Sequence, residues 1–196
     1  EVVKFAQISG SKFIYSGSST KFGDNNLNGF ASPYAWTKRS NTELLKTYAD
    51  WYDLDYAIAY FYNVYGDNEI SEGRYATLIA KYLSLVRAGE TKLPVVQPGT
   101  QTRNFTHVDD IVEGLYLIGL YGQGDNYGIG SDQSFSIIDL VEMLGCEVEW
   151  LPERRGNRLT APVITEKLKA LGWTAKQNLD DFLVSKTVSL KTKIDD

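Results

Sequence analysis

The chain has 196 residues, with 20 Lys plus Arg against 25 Asp plus Glu and a formal charge of −5 when its single His is neutral, a length that suits one domain or about one and a half at roughly 100–200 residues each. Hydrophobic residues make up 43% and charged residues 23%, the balance of a chain that buries a core, so disorder is excluded as its main description. One cysteine, Cys146, and one histidine, His107, exclude a disulfide framework and a Cys/His zinc cluster, and a negative balance without a long Lys/Arg run argues against nucleic acid or an anionic membrane as partner.

The chain opens Glu1-Val2-Val3-Lys4-Phe5 and its one methionine is Met143, so further residues upstream are expected. Lys12-Phe13-Ile14-Tyr15-Ser16, bounded by Gly10 and Gly17, reads as a short buried strand. Ser32-Pro33 reads as a helix start, with Ser as N-cap and Pro at the first position, and the helix should run to about Trp51. Tyr56-Ala57-Ile58-Ala59-Tyr60-Phe61 is a nearly continuous apolar strand of the kind covered on both faces. The alternation continues with a helix from about Arg74 to Arg87, a strand from Leu93 to Val96, a polar turn from Gln97 to Gln101 and a short strand from Arg103 to Thr106. A helix from Asp109 to Leu120, a strand from Asn126 to Ile129, a helix from Phe135 to Leu144 and a strand from Glu147 to Leu151 follow, and helices from Glu166 to Leu171 and Leu179 to Leu190 close the chain. Gly114 to Gly124, the longest uncharged apolar run, falls short of the roughly 20 residues a membrane span needs. With no signal peptide at the start, a cytoplasmic location is expected. Strands alternating with helices favour an α/β fold with a mostly parallel sheet.

Tyr34 and Lys38 stand four residues apart at the start of the first long helix, so both project from one face, one turn apart. A phenol is a poor base at neutral pH, and an ammonium charge nearby favours its ionised form. Ser16, Ser18, Ser19 and Thr20 follow the first strand directly, at the end where a parallel α/β sheet presents its ligands. The spacing alone also describes a surface tyrosine lying along a lysine stem.

The surrounding residues carry more. Tyr15-Ser16-Gly17-Ser18-Ser19-Thr20-Lys21-Phe22-Gly23-Asp24 and Ser32-Pro33-Tyr34-Ala35-Trp36-Thr37-Lys38 resemble the serine and Tyr-x-x-x-Lys segments of the extended short-chain dehydrogenase/reductases, and most of all their nucleotide-sugar epimerases and dehydratases. Tyr60-Phe61-Tyr62-Asn63-Val64-Tyr65-Gly66, Gln101-Thr102-Arg103-Asn104-Phe105-Thr106-His107-Val108-Asp109-Asp110 and Tyr127-Gly128-Ile129-Gly130-Ser131 agree in order and spacing. The resemblance implies the C-terminal part of a Rossmann-like doubly wound parallel sheet, carrying the catalytic residues in 1–66, with a smaller α/β substrate-binding lobe in 67–196 that has room to return to the first domain. It implies NAD as cofactor, a nucleotide-diphosphate sugar as substrate and a homodimer. By position, Ser18 matches the hydroxyl that bonds the sugar's 4-OH, Tyr34 the acid/base, and Lys38 the group that holds the cofactor ribose. Ser16, Phe61 and Tyr62 fall beside the cofactor, Asn63 beside the sugar nucleotide, and Arg103 and Arg154 match ligands of the diphosphate. Asn157 stands where many relatives carry Asp for the ribose. Within this family the reading favours a UDP-sugar 4-epimerase working through a 4-keto intermediate. The alternatives are a 4,6-dehydratase, whose Asp-Glu pair after the catalytic hydroxyl is here Ser19-Thr20, and a fragment that only binds sugar nucleotide. The family's Gly-rich strand-turn-helix is expected about a hundred residues before Lys12.

Three features imitate sites. Gly122-Gln123-Gly124-Asp125-Asn126-Tyr127-Gly128 mimics a dinucleotide loop but follows a helix and precedes a strand, so it reads as a turn. Asn104-Phe105-Thr106 has the glycosylation pattern in a strand-like segment. His107, beside Asp109, reads as a structural hydrogen-bonding residue rather than a base.

Overall fold

A computed structural model describes residues 1–22, 32–153, 159–160 and 162–191. In chain order it holds α1 (Val2–Ser9), β1 (Phe13–Ser18), a 3-10 turn (Ser19–Phe22), α2 (Pro33–Tyr52), β2 (Tyr56–Phe61), β3 (Val64–Tyr65), α3 (Leu78–Arg87) and β4 (Lys92–Val96). Then come β5 (Thr102–Arg103), β6 (Thr106–His107), α4 (Val108–Tyr121), β7 (Gly124–Ile129), β8 (Phe135–Ser136), α5 (Ile137–Met143), β9 (Glu147–Leu151), α6 (Glu166–Lys169) and α7 (Leu179–Lys191).

β1, β2 and β7 form a parallel sheet in that order, with β2 in the middle. Side chains alternate across a strand, and β2 uses both faces. Ile58 and Tyr60 pack with Ala6, Leu45, Ala49 and Leu54 on the side of α1 and α2, while Ala57 and Ala59 pack with Ile111, Ile118, Leu168 and Trp173 on the side of α4 and α6. Gly128 lets the backbone of Ile164 come close, since a Cβ there would lie 2.1 Å from the Ile164 carbonyl oxygen. A second parallel pair, β4 with β9, carries the other core, in which Leu93 and Val95 meet Ile79, Leu83, Leu140, Val141, Leu179 and Leu183. The chain therefore leaves the first sheet after β2 for α3 and β4, returns through α4 and β7, leaves again for α5 and β9, and comes back with α6 before α7 closes the second core.

Several boundaries differ from the sequence reading, each for a local reason. α1 was not foreseen. It is two turns long and closes on Gly10, whose φ of 65° is left-handed, and it is held to α2 by a 2.5 Å bond from the Tyr48 hydroxyl to Gln7 Oε1. The helix expected from Arg74 begins at Leu78, because Gly73 turns with φ 76° and the Thr77 N–H is tied to Ile70 O at 3.0 Å. The single strand expected over 103–106 is two pieces, since β5 pairs antiparallel with β8 whereas β6 pairs parallel with β3. Between them the Asn104 amide is buried and donates to Ser131 O and Gln133 O, which explains why its glycosylation pattern is only a pattern. Phe135-Ser136 is a strand, and α5 starts behind it with a capping box between Ser136 and Asp139. Of the Gly122–Gly128 stretch expected to be a turn, only Gly122 and Gln123 connect α4 to β7, and Gly124 to Gly128 already belong to strand β7, which starts two residues before the expected Asn126.

Buried phenols make this fold sensitive to alkali. Tyr82 donates to Pro94 O at 2.8 Å, and burial pushes its phenol up to about 12. Burial raises Tyr60 and Tyr65 in the same direction. A group whose folded pKa is raised contributes stability that is fully present below its unfolded pKa, about 10 for tyrosine, and lost as pH climbs toward the folded value. Urea unfolding across pH should accordingly show stability falling as pH rises from about 10 to 12, and Tyr82→Phe should make that fall shallower.

Candidate active site

The C-terminal edge of the three-stranded sheet collects most of the residues singled out by sequence. In register, Ser16 pairs with Ala59 and Ser18 with Phe61, which in turn faces Ile129. This row brings Ser16, Ser18 and Phe61 to one edge, with Tyr62 and Asn63 directly beyond it.

α2 delivers Tyr34 and Lys38 to the same edge. Its start is built by Ser32, extended at φ −157° and ψ 159°, whose hydroxyl accepts from Ala35 N–H at 3.1 Å, and by Pro33 in the first turn. Lys38 then reaches across to β1, where its ammonium donates to the Ser16 carbonyl at 2.9 Å. The same nitrogen lies 5.4 Å from the Tyr15 ring centroid and 6.0 Å from that of Tyr34. Tyr34 itself is 57% exposed, open to a ligand arriving at the strand ends. Ser18 is held by the residues after it: its oxygen accepts from the Thr20 N–H at 3.3 Å and from the Thr20 hydroxyl at 2.9 Å, which leaves the Ser18 proton to be donated outward. Thr20, named in the sequence only as one of the hydroxyls after β1, is thus the residue that supports Ser18, and its i+2 spacing from a serine is the signature of such a turn.

The remaining candidates divide. Phe61 is half-buried against the α4 side of the sheet. Tyr62 is 1% exposed, and its hydroxyl donates to Pro162 O at 2.9 Å while accepting from Ile164 N–H at 3.2 Å. Its side chain is therefore committed to clasping the 162–164 segment, a job invisible in the sequence because the partner lies a hundred residues on. Asn63 is exposed, with a positive φ of 31°, and its carbonyl accepts from Thr106 N–H at 3.2 Å, which ties the sheet edge to β6. Arg103 donates to Thr102 O at 2.7 Å and to Leu159 O at 3.4 Å. Leu159 is also one wall of a cavity of about 550 Å³ lined with Gln97, Pro98, Trp150 and Glu153. Arg154 and Asn157 lie outside the described residues, as do Arg155 and Arg158. His107 is structural, as expected: its Nδ1 accepts from Asp109 N–H at 3.2 Å and caps α4. Among the described residues no group of His, Cys, Asp and Glu could hold a metal ion, and no helix is long and apolar enough to cross a membrane.

With this geometry the chain can be compared with known proteins. The model of the NAD dependent epimerase/dehydratase family matches residues 1–130. UDP-glucuronic acid decarboxylase 5 of Arabidopsis thaliana is 29% identical over 189 residues, which cover 91% of this chain and 53% of that protein. The dTDP-D-glucose 4,6-dehydratase of Homo sapiens is 28% identical over 190 residues, covering 89% of this chain and 53% of its own length. The chain thus spans about half the length of the curated relatives it matches. A crystal structure of UDP-glucose 4-epimerase from Thermotoga maritima, with UDP-glucose, shares the fold at a TM-score of 0.85 and 24% identity, over 100% of this chain and 68% of that one.

The first turn of α2 carries both Tyr34 and Lys38, so its cap should matter to stability. Ser32→Ala should cost about 1 kcal/mol, read as a lower urea midpoint with an unchanged slope.

Proposed function

The chain belongs to the NAD dependent epimerase/dehydratase family, and from that premise we propose that it is the catalytic and substrate-binding part of an enzyme that epimerises a nucleotide-diphosphate sugar at C4 through a 4-keto intermediate. The observation that carries this reading is the 2.9 Å bond from Lys38 to Ser16 O. It joins the helix of Tyr34 to the strand end of Ser18 at the edge where parallel sheets take their ligands.

The donor set suits one end of the dinucleotide. An ammonium fixed at a strand end beside exposed Ser16 fits the hydroxyls of a ribose. Among the described residues no strand runs through a Gly-rich turn into a helix N-terminus, so the fit is to the nicotinamide ribose rather than to the pyrophosphate. Bound NAD supplies a site that accepts hydride from the sugar carbon and returns it. In this reading Tyr34 takes the proton of the C4 hydroxyl and later gives it back. Ser18, its oxygen pinned by Thr20, donates to the same sugar oxygen and fixes its distance from Tyr34. Lys38 holds the ribose and places a positive charge one turn below the Tyr34 phenol. Arg103, bonded to the carbonyl of Leu159, supplies charge-assisted bonds to the diphosphate, and Arg154 and Asn157 are proposed as further substrate ligands. The outward apolar residues Val2, Phe5 and Ile8 on α1 and Leu44 and Trp51 on α2 suit a second copy of the chain.

Relatives of this chain carry three reaction names, decarboxylase, dehydratase and epimerase, and the residues after Ser18 favour epimerase over dehydratase. Elimination of water needs its own acid/base pair. Here Ser19 is buried and the Thr20 hydroxyl is spent on Ser18, so the 3-10 turn offers no carboxylate.

Two variants of the enzyme test this. Tyr34→Phe should lower turnover by roughly 10²–10⁴ with little change in substrate affinity. Product analysis of the unaltered enzyme should show the 4-epimer and no deoxy-keto sugar; turnover of Tyr34→Phe within twofold of the unaltered enzyme would remove the phenol from the reaction. Arg103→Ala should weaken UDP-sugar binding by about 1.5–3 kcal/mol, the range for hydrogen bonds to charged groups, measured by calorimetry.

A further inference from the structure

One side chain packs against both the strand of Ser16 and Ser18 and the helix of Tyr34 and Lys38, and nothing in the sequence gives it a role beyond its place in an apolar strand and in the stretch 60–66. Tyr60, in the middle strand, is wholly buried. Its ring packs against Gly17, the residue between Ser16 and Ser18: a Cβ at Gly17 would sit 2.6 Å from the ring's Cε1 and 2.8 Å from Cδ1. The ring of Phe22, at the end of the turn beyond Ser18, meets it edge-on with centroids 4.9 Å apart. On its far side Tyr60 meets α2. Leu45 and Ala49 of α2 pack in one cluster with Tyr60, and between them and Lys38 the fully buried Thr42 donates its hydroxyl to Lys38 O at 3.0 Å.

The Tyr60 hydroxyl is anchored from a third direction. It donates to Asp125 Oδ1 at 2.5 Å, and Asp125 sits on β7, which pairs with the opposite side of β2. The other oxygen of Asp125 pairs with Lys46 of α2 at 2.7 Å, two turns beyond Lys38. The carboxylate thus grips the sheet through Tyr60 and the helix through Lys46. Thr42 and Lys46 continue the four-residue spacing begun by Tyr34 and Lys38, so the grip acts on the helix face that presents those two residues.

We propose that Tyr60, held by Asp125, is a positioning residue that sets the spacing between the Ser18 end of β1 and the Tyr34/Lys38 turn of α2. The proposal rests on the active-site reading above. A ring that cannot slide holds Gly17 against one side and α2 off the other; without its hydroxyl the ring keeps its packing but loses its fixed height. Misplacement of catalytic groups by about 1 Å from a remote change can cost on the order of 10²-fold in rate, so this is a lever on turnover rather than on binding.

Tyr60→Phe isolates the effect, because Asp125 keeps Lys46 and the Asn126 N–H, 2.6 Å away, and no charge is left unpaired. In the NAD-loaded enzyme, kcat should fall roughly 10–100-fold with KM for the UDP-sugar within about twofold. Hydrogen exchange should rise at the amides of 34–42 and stay unchanged in α4 and α7. Tyr34→Phe is measured alongside. Unchanged kcat in Tyr60→Phe overturns the proposal, and if Tyr34→Phe still abolishes turnover the active-site reading stands without it. Exchange rising equally in α2, α4 and α7 also overturns it, in favour of general loosening. Retained turnover in Tyr34→Phe defeats the active-site reading, and with it the role given to Tyr60.

Discussion

Parallel pairing of β2 with β1 on one side and β7 on the other lines up Ser18, Phe61 and Ile129 across the sheet. Three stretches far apart in sequence therefore end at one edge and point the same way. Parallel strands need crossover connections, and here those connections are the functional parts. The route from β1 to β2 is α2 with Tyr34 and Lys38, and the route from β2 to β7 is the first part of the lobe, with Arg103 on it, and α4. Both routes leave from the same edge, which brings the helix of Tyr34 and Lys38 and the segment of Arg103 out from one side of the sheet.

The helix of the first crossover is docked by small side chains. Ala35, Thr42 and Ala49 are buried along the sheet-facing side of α2, with Leu45 the one large apolar residue among them. Small contacts let the helix axis come close to the strands, and close approach brings Lys38 within reach of the Ser16 carbonyl. The docking is completed by polar links, Tyr48 to Gln7 and Lys46 to Asp125. Directional bonds fix rotation and height, which apolar contact alone leaves adjustable. Outward from this face the same helix exposes Trp36, Leu44 and Trp51, so its apolar residues are not confined to one stripe.

Charge placement follows from the same geometry. The chain carries −5 overall, yet the proposed sugar-diphosphate ligand needs cations. Lys38 stands at the sheet edge with its ammonium on a carbonyl, and Arg103 leans on two carbonyls. A neutral acceptor orients Lys38 without cancelling it, whereas Lys169 with Asp132 and Lys176 with Glu113 are paired with carboxylates. A negative molecule can in this way keep local positive sites for an anionic ligand.

Periodicity made the order of elements legible, because β2 is apolar on both faces and Ser32-Pro33 marks a helix start by chemistry that acts within four residues. The spacing of Tyr34 and Lys38, the hydroxyls after β1 and the family resemblance were legible for the same reason: each is a local pattern. The tertiary structure alone decided what depends on partners distant in sequence. It split 103–106 between two sheets, turned the Tyr62 hydroxyl onto Pro162 and Ile164, and set Asp125 of an apparent Gly-rich loop against Tyr60 and Lys46. Local propensity speaks for a few neighbouring residues, while strand register and side-chain hydrogen bonds are chosen only when the crossovers close and burial leaves each polar atom to find what lies beside it.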